Sequence, residues 1–76
     1  MWIDTQNIRV NKKQLKKIDK KKVENHRKSF EMGIEVMPID VVKIDENEYV
    51  INGNGRHRFF GAIAAGFTMI DVNIID

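Results

Sequence analysis

At 76 residues with a formal net charge of +2 and no cysteine, the chain fits one small domain with a thin core, near the size at which burial barely exceeds chain entropy. The missing cysteine excludes a disulfide framework, a thiolate zinc site and thiol catalysis. No apolar run approaches the roughly 20 residues that span a bilayer.

Residues 1–10 hold Trp2, Ile3, Ile8 and Val10 in weak alternation, which predicts one short strand on a sheet edge. Asn11 is a candidate N-cap for a short first helix, with Leu15 and Ile18 on one face and Lys12, Lys13, Lys16 and Lys17 on the others. Asp19 can cap a second helix in which Val23, His26 or Arg27, Phe30 and finally Ile34 recur at three- and four-residue steps, with Gly33 as its stop. There Lys20 precedes Glu24, and Glu24 precedes Lys28, by four residues, pairs worth about 0.2–0.5 kcal/mol each.

Pro38 then excludes helix, and the β-branched run at 39–44 reads as a strand. Asp45, Glu46, Asn47 and Glu48 supply a turn, and Tyr49, Val50 and Ile51 return as the hairpin partner. A glycine-punctuated turn follows, after which the chain should be helical from Arg56, with Phe59 or Phe60, Ile63 and Ala64 inward, until Gly66. Trp2, Phe30 and Phe67, like Phe59 and Phe60, are expected in the core rather than as stacking platforms. Ile70, Val72 and Ile74 alternate with Asp71 and Asn73, the clearest period-two strand in the chain. The order predicts a single α+β domain over residues 1–76, a small mixed sheet of about four strands with three helices.

The turn Asn52-Gly53-Asn54-Gly55-Arg56-His57-Arg58 is the strongest chemical feature, because it joins a strand to a helix start. Unpaired amides at a helix N-terminus favour an anion, glycine lets backbone approach it, and Arg56 and Arg58 can add charge-assisted hydrogen bonds. The plainer alternative is a tight turn whose arginines sit in water. His57 is a candidate acid or base, against the plainer reading of a histidine hydrogen-bonded at a helix start. His26 and His57 lack metal-ligand spacing, so no metal site is expected.

Charge is strongly polarised along the chain. Residues 9–28 carry ten basic side chains against Asp19 and Glu24, giving +8, whereas residues 31–52 carry six acidic side chains against Lys43, giving −5. Lys12, Lys13, Lys16, Lys17, Lys20 and Lys21 can follow a nucleic-acid backbone or an acidic partner. A solvated helix face is the plainer reading.

Taken together, Tyr49-Val50-Ile51, Asn54-Gly55-Arg56-His57-Arg58, the alanine-containing helix ending Ala64-Ala65-Gly66-Phe67 and the closing strand at 70–75 resemble the ParB and sulfiredoxin-like superfamily. Its pattern there is a strand, D/N-G-x-H-R or G-x-x-R, a helix ending in glycine, and a strand. Upstream, Val23, Ser29-Phe30, Gly33 and Pro38-Ile39-Asp40-Val41 resemble the helix, glycine and P-[IL]-x-V strand of the same family, so the resemblance covers about residues 8–76.

That resemblance implies a domain holding a nucleotide triphosphate through a cradle at Gly53, Asn54, Gly55, Arg56, His57 and Arg58: CTP as in ParB partition proteins, or ATP as in sulfiredoxins and a free-serine kinase branch. Gly55, His57 and Arg58 match the phosphate-binding positions, Asn54 stands where Asp is frequent, and Met37 to Ile39 match the region near the base. Mg²⁺ would accompany the nucleotide. Glu24 and Glu31 lie on the helix that faces the ligand in that family and join His57 as catalytic candidates for phosphate hydrolysis or transfer. Arg56 occupies the place of the sulfiredoxin cysteine, which excludes sulfinic acid reduction.

Some members carry a nuclease label, which keeps a DNA- or RNA-binding module as the alternative, and a plasmid or phage interaction protein docking an acidic partner as a third. The chain ends where ParB proteins continue into a helix-turn-helix and dimer domain, which speaks against a DNA clamp. An exposed edge strand near the N-terminus would allow a homodimer. Residues 1–4 lack the basic and apolar regions of a signal peptide, and a cytoplasmic location is expected.

Overall fold

Both edges of the sheet come from the first nine residues. The computed structural model describes residues 1–34 and 37–75. In chain order it has β1 (Trp2–Asp4), a 3₁₀ turn (Thr5–Asn7), β2 (Ile8–Arg9), α1 (Lys12–Lys16), α2 (Lys20–Glu31), β3 (Ile39–Asp45), β4 (Glu48–Ile51), α3 (Arg56–Ala64) and β5 (Met69–Ile75). The five strands form one mixed sheet in the order β1-β5-β3-β4-β2. β1 runs antiparallel to β5, β3 parallel to β5, β3 antiparallel to β4, and β2 parallel to β4.

The five-strand sheet differs from the predicted four because the N-terminal segment is two strands, not one. The Asp4 carboxylate accepts the Gln6 amide at 2.9 Å, offering the backbone a local turn in place of a continuous ladder. A flat five-strand sheet would set its outer strands about 19 Å apart. The four residue steps from Asp4 to Ile8 reach only about 14 Å. The sheet must therefore curl, and Ile3 and Ile8 enter one core with Ile39, Val41, Ile51, Phe59, Ala62, Ile70 and Val72.

The helices cover this core and pack on each other through a glycine. A Cβ built on Gly61 would lie 2.6 Å from the His26 Cβ and 3.0 Å from the Arg27 backbone nitrogen. Only glycine lets α2 and α3 approach so closely. Phe30 and Phe67 meet edge to face at 5.1 Å beside this junction.

Several local expectations are corrected. α1 ends at Lys16, so Ile18 lies beyond it, and Leu15 is exposed because a five-residue helix turns that face to water. α2 stops at Glu31, which leaves Ile34 outside it and exposed. Trp2 is 58% exposed and Phe67 lies at the surface, since the curled β1 edge offers no layer to cover them. Glu24 pairs with Arg27 rather than with Lys20 or Lys28. Glu35, counted above in the acidic half, falls outside the described residues.

Candidate functional site

The turn after β4 is fixed from below by packing. Gly55 is the N-cap of α3 with φ −84° and ψ −6°, a conformation open to any residue, yet a Cβ there would lie 2.8 Å from the Ile39 Cβ and 3.3 Å from the Ile51 Cγ2. Glycine is therefore required by the close approach of the helix start to β3 and β4, not by its dihedrals. Gly53 differs: at φ +78° it takes the left-handed backbone that turns the chain, with open space around it.

The same turn is held from the side by a residue that the sequence reading passed over. Gln14 on α1 donates through Nε2 to the carbonyls of Ile51 at 3.0 Å and Gly53 at 3.4 Å. Its Oε1 accepts the Asn11 amide while the Asn11 Oδ1 accepts the Gln14 amide, a capping box that locks the side chain. The Asn11-to-Gln14 spacing was the available signal.

Three consecutive side chains then reach three different segments. Arg56 Nε donates to the Lys17 carbonyl at 3.2 Å, just past α1. His57 Nε2 accepts the Asp19 backbone amide at 2.9 Å, at the cap of α2. Arg58 Nη1 donates to the carbonyls of Met37 at 2.9 Å and Pro38 at 3.1 Å, at the entry to β3. Arg56 and Arg58 are thus tethered, with one guanidinium nitrogen of each spent on backbone. The remaining guanidinium N–H groups have no protein partner among the described residues.

His57 is 7% exposed. Because Nε2 accepts a backbone N–H, the neutral ring carries its proton on Nδ1. Burial pushes its pKa below the ordinary value, with Arg56 and Lys22 adding to the effect and Asp19 opposing it. His26, across the helix junction, is lowered by burial and by Arg58. Burial is the main cause for both histidines, and the neighbouring cations act in the same direction.

No side chain caps α3, which leaves the amides of its first turn for an external acceptor. Asn54 is exposed on the turn. Gly53, Asn54, Gly55, Arg56, His57 and Arg58 are thus consecutive at the start of α3, with His57 buried and the two arginine side chains directed to different segments.

The carboxylate candidates are engaged elsewhere. Arg27 hydrogen-bonds both Glu24 and Glu31 along α2, and the hydrogen bond from Arg27 holds Glu24 below the usual carboxylate range. Among the described residues no group of three potential ligands is placed to hold a metal ion. The six lysines, Lys12, Lys13, Lys16, Lys17, Lys20 and Lys21, are all exposed along α1 and the start of α2. No helix among the described residues is long and apolar enough to cross a membrane.

The three helices and five-stranded mixed sheet match the ParB/sulfiredoxin-like fold of solved structures. Among solved structures, sulfiredoxin from Arabidopsis thaliana superposes with a TM-score of 0.81 at 22% identity, covering 100% of this chain and 83% of that one. The C-terminally truncated chromosome-partitioning protein ParB from Caulobacter crescentus, complexed with CTP-γ-S, gives 0.83 at 19% identity, covering 100% of this chain and 43% of that one. The same ParB complexed to the centromeric parS site gives 0.77 at 19% identity, with 38% of its chain covered. The chain therefore spans less than half of these ParB chains. No protein-family model matches the sequence, and no curated protein does.

Proposed function

We propose that this domain binds the polyphosphate of a nucleoside triphosphate, CTP or ATP, at the start of α3, with Mg²⁺ accompanying the bound nucleotide. The observation that carries the reading is the uncapped α3 N-terminus bearing Arg56 and Arg58, each with its guanidinium pre-positioned on a backbone carbonyl. Pre-positioning lowers the ordering cost of binding, and charge-assisted contacts to phosphate are about twice as strong as neutral ones. The structural neighbour complexed with CTP-γ-S supports the choice of ligand class.

His57 serves here as a brace rather than a base, since its Nε2 is occupied by the Asp19 amide. Glu24 and Glu31 are tied to Arg27. The proposal is accordingly for binding, without an assigned general base. Isothermal titration with CTP, ATP, GTP and inorganic triphosphate, each with Mg²⁺, tests it. Heat of binding for at least one nucleotide, weakened by Arg56→Ala, is the expected result; a silent panel on folded protein sinks the reading.

A second reading, contact with a nucleic-acid backbone, is favoured by the exposed lysines of α1 and α2 and by the neighbour complexed to a DNA site. It requires binding that weakens steeply between low and physiological salt.

A further inference from the structure

The nucleotide reading leaves unused a groove on the helical face, between the start of α2 and the far half of α3. Its walls are Ile18, Val23, Phe60, Ile63 and Ala64, with Lys20 at the edge, and it encloses about 390 Å³. Ile63 is 43% exposed, although it sits on a helix whose other face is core. Its lining side chains are apolar apart from Lys20, so its floor offers an apolar ligand little besides carbon.

The surroundings are as informative as the floor. Lys16, Lys17, Lys20, Lys21 and Lys22 are exposed around the α1–α2 junction, and none takes part in an ion pair among the described residues. The two acidic side chains nearby are occupied internally. Asp19 accepts the amides of Lys21 and Lys22, and Glu24 is held by Arg27. The result is a shallow apolar trough edged by Lys20, beside a segment in which exposed lysines outnumber Asp19 and Glu24.

We infer that this groove docks an acidic amphipathic peptide segment of another protein, its apolar side chains in the trough and its carboxylates on the lysine rim. Charge complementarity selects the sign of the partner, and the apolar floor selects its class. A nucleic-acid backbone would satisfy the lysines but leave Ile63 and Phe60 without contacts. The matching recognition mode is a helix laid in a groove, with anchors at three- and four-residue spacing.

The test uses a designed peptide with leucines on one helical face and glutamates elsewhere. Its controls are a scrambled peptide of identical composition, poly-glutamate and a single-stranded oligonucleotide, read by fluorescence anisotropy. The amphipathic peptide is expected to bind at least about tenfold tighter than its scrambled control. Ile63→Glu, at an exposed position, and Lys20→Glu should each weaken it by about tenfold while leaving triphosphate binding unchanged. Unfolding curves for both variants establish that they remain folded. Equal binding of the scrambled peptide, poly-glutamate or the oligonucleotide would overturn the inference, as would an unaltered affinity in Ile63→Glu. Self-association of the unmixed protein that Ile63→Glu abolishes would assign the groove to a second copy of the chain and also overturn it.

Discussion

Gly55→Ala tests the physical basis of the site most sharply, because backbone strain does not enter. At φ −84° and ψ −6° alanine adopts the native conformation freely, and restricting the unfolded chain would by itself stabilise by about 0.4–1 kcal/mol. Against this, the new methyl would stand 2.8 Å from the Ile39 Cβ and 3.0 Å from its Cγ2, where carbon atoms prefer about 3.5–4.0 Å. Ile39 cannot give way: it is 1% exposed and registered against Val72 in the sheet. Overpacking of this kind costs about 1–3 kcal/mol, which after that gain leaves a net loss of about 1.3 kcal/mol at mid-range and at most about 2.6 kcal/mol. In a domain of this size each kcal/mol lowers Tm by about 4–8 °C. Urea unfolding should show a lower midpoint with an unchanged slope, and Asn54→Ala, on the exposed side of the turn, should stay within about 0.5 kcal/mol of the parent. A Gly55→Ala protein as stable as the parent would refute the account of why glycine stands there.

Gln14→Ala removes the side-chain half of a capping box and the two bonds to the β4–α3 turn, leaving the Gln14 amide on the Asn11 side chain, so a loss of about 1–2 kcal/mol is expected in the same unfolding assay. Both histidines have folded pKa values below the unfolded one, so the unfolded chain takes up protons first as pH falls. Their contribution is complete above about pH 6.5 and is lost below it down to the folded values, by at most about 1.4 kcal/mol per pH unit for each histidine. His57→Gln, which keeps an acceptor for the Asp19 amide, should flatten that dependence in unfolding curves taken from pH 7.5 to 5; an unchanged slope would contradict the assignment. Glu24→Gln and Glu31→Gln, whose carboxylates serve Arg27, should leave triphosphate affinity within about twofold by titration calorimetry.

Much of the fold could be read from the sequence where one side-chain pattern decided the structure. Asn11 and Asp19 cap α1 and α2, Asn47 takes φ 56° in the hairpin, and Ile70 and Val72 point inward from β5. The double N-terminal strand was hidden because β1 pairs with a strand 65 to 69 residues away and β2 with one 41 residues away, and no local pattern reports such partners. The glycine-punctuated turn and its arginines at a helix start were visible in the sequence. What the sequence concealed was the geometry of its side chains: Arg56, His57 and Arg58 hold the ends of α1, α2 and β3, contacts that only tertiary packing creates. The Arg27 clamp on Glu24 and Glu31 was open to a helical spacing argument, but lysines at competing positions masked it.

The binding claim is tested most directly by following backbone amide resonances during titration with Mg²⁺ and CTP, ATP or inorganic triphosphate. The account predicts that the largest changes fall on the amides of Gly53, Asn54, Gly55, Arg56, His57 and Arg58, at the uncapped start of α3. Spectra that stay unchanged, or that move only at the lysines of α1 and α2, would contradict it.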